Sequence, residues 1–137
     1  MKVANNKKSS VSKKTIAKKN ISCAKKPSTK TDRGLIIVIT GNGKGKTTSA
    51  FGQALRAVGQ GYKVFILQFM KGREYGEFIA AEKYLPNLTI RKSGLDSFVM
   101  RDNPAAIDIE LAQKGLDIAS KAIMSGKYDM VILDEIN

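Results

Sequence analysis

Hydrophobic positions in this chain gather in short continuous runs, and longer stretches with helical spacing separate them. Leu35-Ile36-Ile37-Val38-Ile39-Thr40 is apolar and β-branched without alternation, the pattern of a strand buried on both faces. Ser49 to Val58 follows with helical composition, and Gly59-Gln60-Gly61 supplies its stop and turn. Lys63 to Phe69 repeats the buried-strand pattern, which predicts a βαβ unit with parallel strands. Met70 to Gly76 reads as a loop at that strand's C-terminal edge, where open α/β sheets take their ligands. Phe78 to Leu85 looks helical and stops at Pro86, Leu88 to Arg91 is a short third strand, and a polar loop carries Ser93 to Phe98. The longest helix is predicted to use Asn103 as N-cap and Pro104 as its first residue. It runs to about Ser125, with Ile107, Leu111, Ile118 and Ala122 broadly on one face and Gly126 as the stop. Tyr128 to Glu135 forms a fourth strand that ends in two acids. No internal repeat interrupts the order, and the alternation predicts an α/β fold.

Charge divides the chain in two. Residues 1–33 hold ten lysines, one arginine and a single acid, Asp32, and so carry +10 of the net +12. This stretch is rich in Ser, Thr and Asn and poor in large apolar residues, so it is expected to be a disordered Lys-rich N-terminal extension. A solvated extension is favoured over a nucleic-acid-binding arm, because no aromatic residue is interleaved with its lysines. It is also favoured over an organellar presequence, in which arginine and an amphipathic pattern prevail. The remainder, 34–137, is nearly neutral and of a length for one domain. No apolar stretch is long enough to span a membrane, and no secretory segment follows Met1. Cys23 is the only cysteine, which excludes an internal disulfide and fits a reducing, cytoplasmic setting. Histidine is absent, so a His-based metal site or triad is excluded.

The candidate chemistry lies where the first apolar run meets Gly41-Asn42-Gly43-Lys44-Gly45-Lys46-Thr47-Thr48. Glycines let the backbone curl so that successive N–H groups face one concavity, and a helix N-terminus follows directly. With the cation of Lys46 this is a cradle for polyphosphate. The usual spacing would place the first glycine where Thr40 stands, and Gly41 comes one step later. The second half of a nucleotide site is Met130 to Leu133 followed by Asp134 and Glu135. A carboxylate at the tip of a buried strand can hold Mg²⁺ beside the phosphates, with the Thr47 hydroxyl as second ligand. Apolar strands ending in an acid are common, so Asp134 could instead cap a turn and Glu135 could be an ordinary exposed acid.

The block from Thr40 to Thr48, continued by Ala50 to Ala57, resembles the phosphate loop of the ATP:corrinoid adenosyltransferases, including its displaced first glycine. Gln68-Phe69, Lys71-Gly72 and Gly76-Glu77 are similar to that family's second strand and loop, and Asp129 to Asn137 to its acidic strand. The resemblance implies a P-loop NTPase fold of RecA type, a parallel sheet with flanking helices. It implies transfer of the 5′-deoxyadenosyl group of ATP to Co(I) of a corrinoid, with an electron donor to reduce the cobalt. Lys46, Lys44 and the loop residues Gly41, Asn42, Gly43, Gly45, Thr47 and Thr48 would then bind ATP, with Lys46 and Glu135 in catalytic roles. Mg²⁺ would bridge Thr47, Asp134 and Glu135. Phe98 is the candidate for the apolar surface beneath the corrin ring, although it could equally anchor a loop to the core, and the chain has no tryptophan to help it.

Family members continue beyond the Asp-Glu strand, with two further strands flanking the phosphate-loop strand. The sheet is therefore expected to be incomplete at the C-terminus, with Leu35 to Thr40 deprived of both neighbours. Such a chain is expected to fold poorly alone or to need a complementing piece or a partner chain, with an inactive fragment of the adenosyltransferase as an alternative, and two copies could cover each other's exposed edges as a homodimer. The alternatives are a RecA-type ATPase or nucleic-acid module that uses the basic tail, and a small-molecule kinase. Nucleic acid is not an expected partner, and Arg73, Arg91 and Arg101 are too scattered for a kinase lid.

Overall fold

A computed structural model describes residues 34–97, 99–100 and 102–136. The Lys-rich extension, Phe98 and Arg101 lie outside the described residues. The elements run α1 (Lys46–Gly59), β1 (Val64–Phe69), α2 (Gly76–Tyr84), β2 (Leu88–Ser93), α3 (Ala106–Met124) and β3 (Met130–Asp134). The strands form one parallel sheet in the order β2-β1-β3. This is the α/β architecture that the alternating pattern predicts.

β1 is central, and every one of its residues is buried. Its side chains alternate between two helical layers, as strand geometry requires. Val64 and Ile66 join Ala54 and Ala57 of α1, Ala81 of α2 and Leu88 of β2 on one face. Phe65, Leu67 and Phe69 meet Ala119 and Ala122 of α3 on the other. A continuous apolar run with no polar alternation is what a strand covered on both faces needs.

Leu35 to Thr40 corrects the expectation of a strand. This segment joins no strand of the sheet, and Leu35 to Ile39 are between 37% and 90% exposed. A strand buried on both faces must hydrogen-bond to neighbours, and among the described residues none lies beside it. β3 pairs with β1 alone, and its apolar residues Met130 to Leu133 are only half-buried, unlike those of β1. The expected loss of both neighbours therefore describes the segment, while its reading as a strand does not.

α3 also starts later than expected. Its N-cap is Ala105, with Pro104 outside the helix and not at its first position. The N–H of Ala105 donates to the Asp108 carboxylate at 3.2 Å, half of a capping box that replaces Asn103. The buried face is a stripe of small residues, Gly115, Ala119 and Ala122, whereas Ile107 and Ile118 are exposed and Leu111 is half-buried. Small residues win because α3 lies very close to the sheet. A β-carbon on Gly115 would stand 2.6 Å from the Phe69 ring.

Because Ile36 and Val38 are 90% and 78% exposed, Ile36→Lys/Val38→Lys should change unfolding free energy by no more than about 0.5 kcal/mol. The same variant should bind less of a hydrophobic dye and aggregate less. A denaturant titration showing a loss above about 2 kcal/mol would mean that the segment packs into the core.

Candidate functional site

Strand alternation brings the site together. Gln68 shares the α1 face of β1 with Val64 and Ile66, and Asp134 shares that face of β3 with Met130 and Ile132. Gln68 and Asp134 are register partners at the C-terminal ends of adjacent strands. The N-terminus of α1 comes over this edge, so Thr47 meets Asp134 across 87 residues of sequence. The Thr47 hydroxyl donates to Asp134 Oδ1 at 3.0 Å. The Gln68 amide donates to Oδ2 at 3.1 Å, and Lys71 Nζ donates to the same oxygen at 2.8 Å.

The loop before α1 curls as its glycines permit. Gly41 and Gly45 take φ of 137° and 105°, the left-handed region that favours glycine. Gly45 is the N-cap of α1 and offers no side-chain acceptor, so the first-turn N–H groups are left uncapped by a side chain. Lys46 Nζ donates to the carbonyls of Gly41 at 2.7 Å and Gly43 at 2.8 Å, which wraps the loop around its own cation. Asn42 and Lys44 are exposed on this loop, and Thr48 continues the first turn of the helix.

Two loops carry the remaining walls. A β-carbon on Gly94 would stand 2.6 Å from Lys71 N and 2.7 Å from Met70 Cα, and one on Gly72 would collide with the Leu95 and Asp96 backbones. The segments after β1 and β2 therefore press backbone to backbone, joined further by Met70 N–H donating to Ser93 O at 2.8 Å. This packing fixes where Lys71 emerges. A cleft of about 350 Å³ opens beside it, lined by Thr47, Thr48, Phe51, Lys71, Tyr75 and Glu77.

Asp134 is 7% exposed. Burial pushes its carboxyl up, but the bonds from Lys71, Gln68 and Thr47 outweigh that and hold it below the ordinary carboxylate range. Glu135 follows in the left-handed region, with φ of 59°, and makes no hydrogen bond or ion pair among the described residues. The structure thus unites Thr47 with Asp134 and leaves Glu135 beside them, while Phe98 lies outside the described residues. Gln68 and Lys71 complete the network without having been singled out as site residues. A polar Gln68 inside an otherwise apolar buried strand was the available signal, since a buried amide must find a partner.

A family model described as ATP:corrinoid adenosyltransferase BtuR/CobO/CobP matches residues 32–137. The chain belongs to this family. Corrinoid adenosyltransferases similar to it include that of Escherichia coli (strain K12), 40% identical over 106 residues, which are 77% of this chain and 53% of the relative. That of Sinorhizobium sp is 37% identical over 124 residues, 89% of this chain and 58% of the relative. The Salmonella typhimurium (strain LT2) protein named corrinoid adenosyltransferase CobA is 39% identical over 107 residues, 77% and 53%. The chain spans about half the length of these curated relatives. No helix among the described residues is long and apolar enough to cross a membrane.

Three outcomes test the geometry of this site. Because the folded Asp134 carboxyl is depressed, its contribution is fully present above the ordinary value near about 4 and is lost as pH falls through the folded value. Stability of the wild-type chain should drop along this acid limb, and Asp134→Asn should flatten it; an identical limb in both would contradict the network. Gly94→Ala should cost about 1–3 kcal/mol by forcing the two loops apart. Gly52→Ala, at an open helical position, should instead gain roughly 0.5–1 kcal/mol in the same thermal melts.

Proposed function

We propose that this chain binds ATP at the Gly41–Thr48 loop and transfers its 5′-deoxyadenosyl group to the Co(I) of a corrinoid, releasing triphosphate. The observation that carries the reading is the bond from Thr47 on the phosphate loop to buried Asp134 at the strand tip, at 3.0 Å. Membership of the ATP:corrinoid adenosyltransferases supplies the substrates. In the transfer the cobalt electron pair forms the Co–C5′ bond, and the C5′–O bond breaks with its pair leaving on the triphosphate. No general base is needed at such a nucleophile, which suits a chain without histidine. The protein's task is to hold the triphosphate, offset its charge and aim C5′.

Lys46, already bonded among the loop carbonyls, supplies charge to the phosphates together with Lys44. The uncapped N–H groups at the start of α1 and the loop amides of Gly41, Asn42, Gly43 and Gly45 supply donors. Thr47 Oγ1 and the Asp134 carboxylate are the hard oxygen donors that Mg²⁺ takes, and they meet here. Among the described residues no three Cys, Asp or Glu side chains cluster as a metal cage, so a cation would share its shell with phosphate oxygens and water. Thr47, Asp134 and Glu135 would hold it, and it would neutralise charge on the leaving triphosphate. Phe98 is proposed for the lower face of the corrin. Nothing among the described residues favours the nucleic-acid or kinase alternatives.

The reading is tested anaerobically with the 137-residue chain, Mg-ATP and chemically reduced cobalamin, followed by visible absorption. A light-sensitive adenosylated corrin should form, and Lys46→Ala should slow it by roughly 10²–10³-fold, as loss of a charge-stabilising donor does. Product at equal rates in both proteins would remove the phosphate loop from the reaction. ATP binding without turnover would reduce the function to nucleotide binding.

A further inference from the structure

Asp134 already carries a cation. Lys71 Nζ stands 2.8 Å from Oδ2, and the pair is well shielded, at 18% and 7% exposure. Lys71 comes from the loop after β1, fixed there by the backbone contact of Gly94 with Lys71 N. Its ammonium also lines the cleft that holds Thr47, Thr48 and Tyr75, 6.0 Å from the Tyr75 ring. Shielding an ion pair costs desolvation that a good geometry only partly offsets, so such a pair is weakly explained by stability alone. A lysine is a compact charge on a flexible stem and can move between acceptors without changing its protonation. An ammonium and a divalent cation on the same carboxylate repel strongly in such a shielded site.

From this we infer that Lys71 is an exchangeable counter-ion, a positioning residue that holds Asp134 in register with Thr47 and keeps divalent cations off it until a polyphosphate arrives. The phosphate then takes the ammonium, and Asp134 is freed for the metal. Divalent-cation binding is thereby made dependent on nucleotide. The inference rests on the nucleotide-site reading above for the identity of the polyphosphate, but the exclusion of cations from Asp134 does not.

The test is Mn²⁺ binding to the full chain, read by the electron paramagnetic resonance of free Mn²⁺, without nucleotide and with ATP, the latter corrected for the Mn²⁺ held by ATP alone in a protein-free titration. Wild type should bind Mn²⁺ weakly alone and at least about tenfold more tightly with ATP, a change of the size expected when one nearby charge is removed. Lys71→Gln should bind Mn²⁺ without nucleotide at least about tenfold more tightly than wild type. Lys71→Arg, which keeps the charge, should retain the exclusion, and Lys71→Gln/Asp134→Asn should lose the gain. Lys71→Met, similar in length and uncharged, repeats the measurement should the glutamine variant lose its helical circular dichroism. Equal nucleotide-free Mn²⁺ affinity in wild type and both neutral variants overturns the inference, as does tight Mn²⁺ binding by wild type alone. If ATP binds while Lys71→Gln leaves Mn²⁺ affinity unchanged, the counter-ion role fails and the nucleotide reading stands. If Lys71→Gln gains Mn²⁺ but no variant binds ATP, the exclusion stands and the nucleotide reading falls.

Discussion

The hydrogen bond from Thr47 to Asp134 is the constraint on which the site depends. Among the described residues, those leading into the Gly41–Thr48 loop pair with no strand and give the loop no anchor on the sheet. Position is set instead from the other side, by Ala54 and Ala57 of α1 packing in the core with Met130 and Ile132 of β3 and by this bond to Asp134. With it, the loop sits over the C-terminal edge of a parallel sheet, where strand ends and helix N-termini collect the groups that bind anions.

Asp134 can serve as that anchor only because its charge is met on every side. Burial alone would raise its proton affinity, and the bonds from Lys71, Gln68 and Thr47 reverse the balance. The carboxylate is then the fastening point of the Gly41–Thr48 loop and, under the proposed function, a hard-oxygen ligand for a cation. Several contacts converge on this one side chain because a charge buried at low cost needs several fixed donors.

The apolar surface left open around this core has a consistent geography. Leu35 to Ile39, the half-buried outer side of β3 and the exposed Ile107 and Ile118 of α3 are not covered by described residues. The same chain spans about half the length of the corrinoid adenosyltransferases it matches. β1, by contrast, is covered on both faces and paired on both edges, and it is there that the packing is tight enough to need Gly115.

Much of this was written in local pattern. The order of helices and strands follows from apolar run length and glycine punctuation, and the phosphate loop from residue types that only a curled backbone with a cation explains. Asp134 was legible as an acid at a strand tip. What local pattern could not supply was anything that depends on a neighbour distant in sequence. The run Leu35 to Thr40 has the composition of a buried strand, but a strand exists only where another lends its hydrogen bonds. The buried stripe of α3 is small where periodicity favoured large side chains, because the distance between helix and sheet selects the size. Lys71 looks like any loop lysine, and only the approach of the Gly72 and Gly94 segments brings it to Asp134. Sequence alone thus determined the order of helices and strands from α1 onward and where candidate chemistry clusters; the tertiary structure decided whether Leu35 to Thr40 became a strand and which elements meet, since pairing and charge compensation are properties of contacts and not of residues.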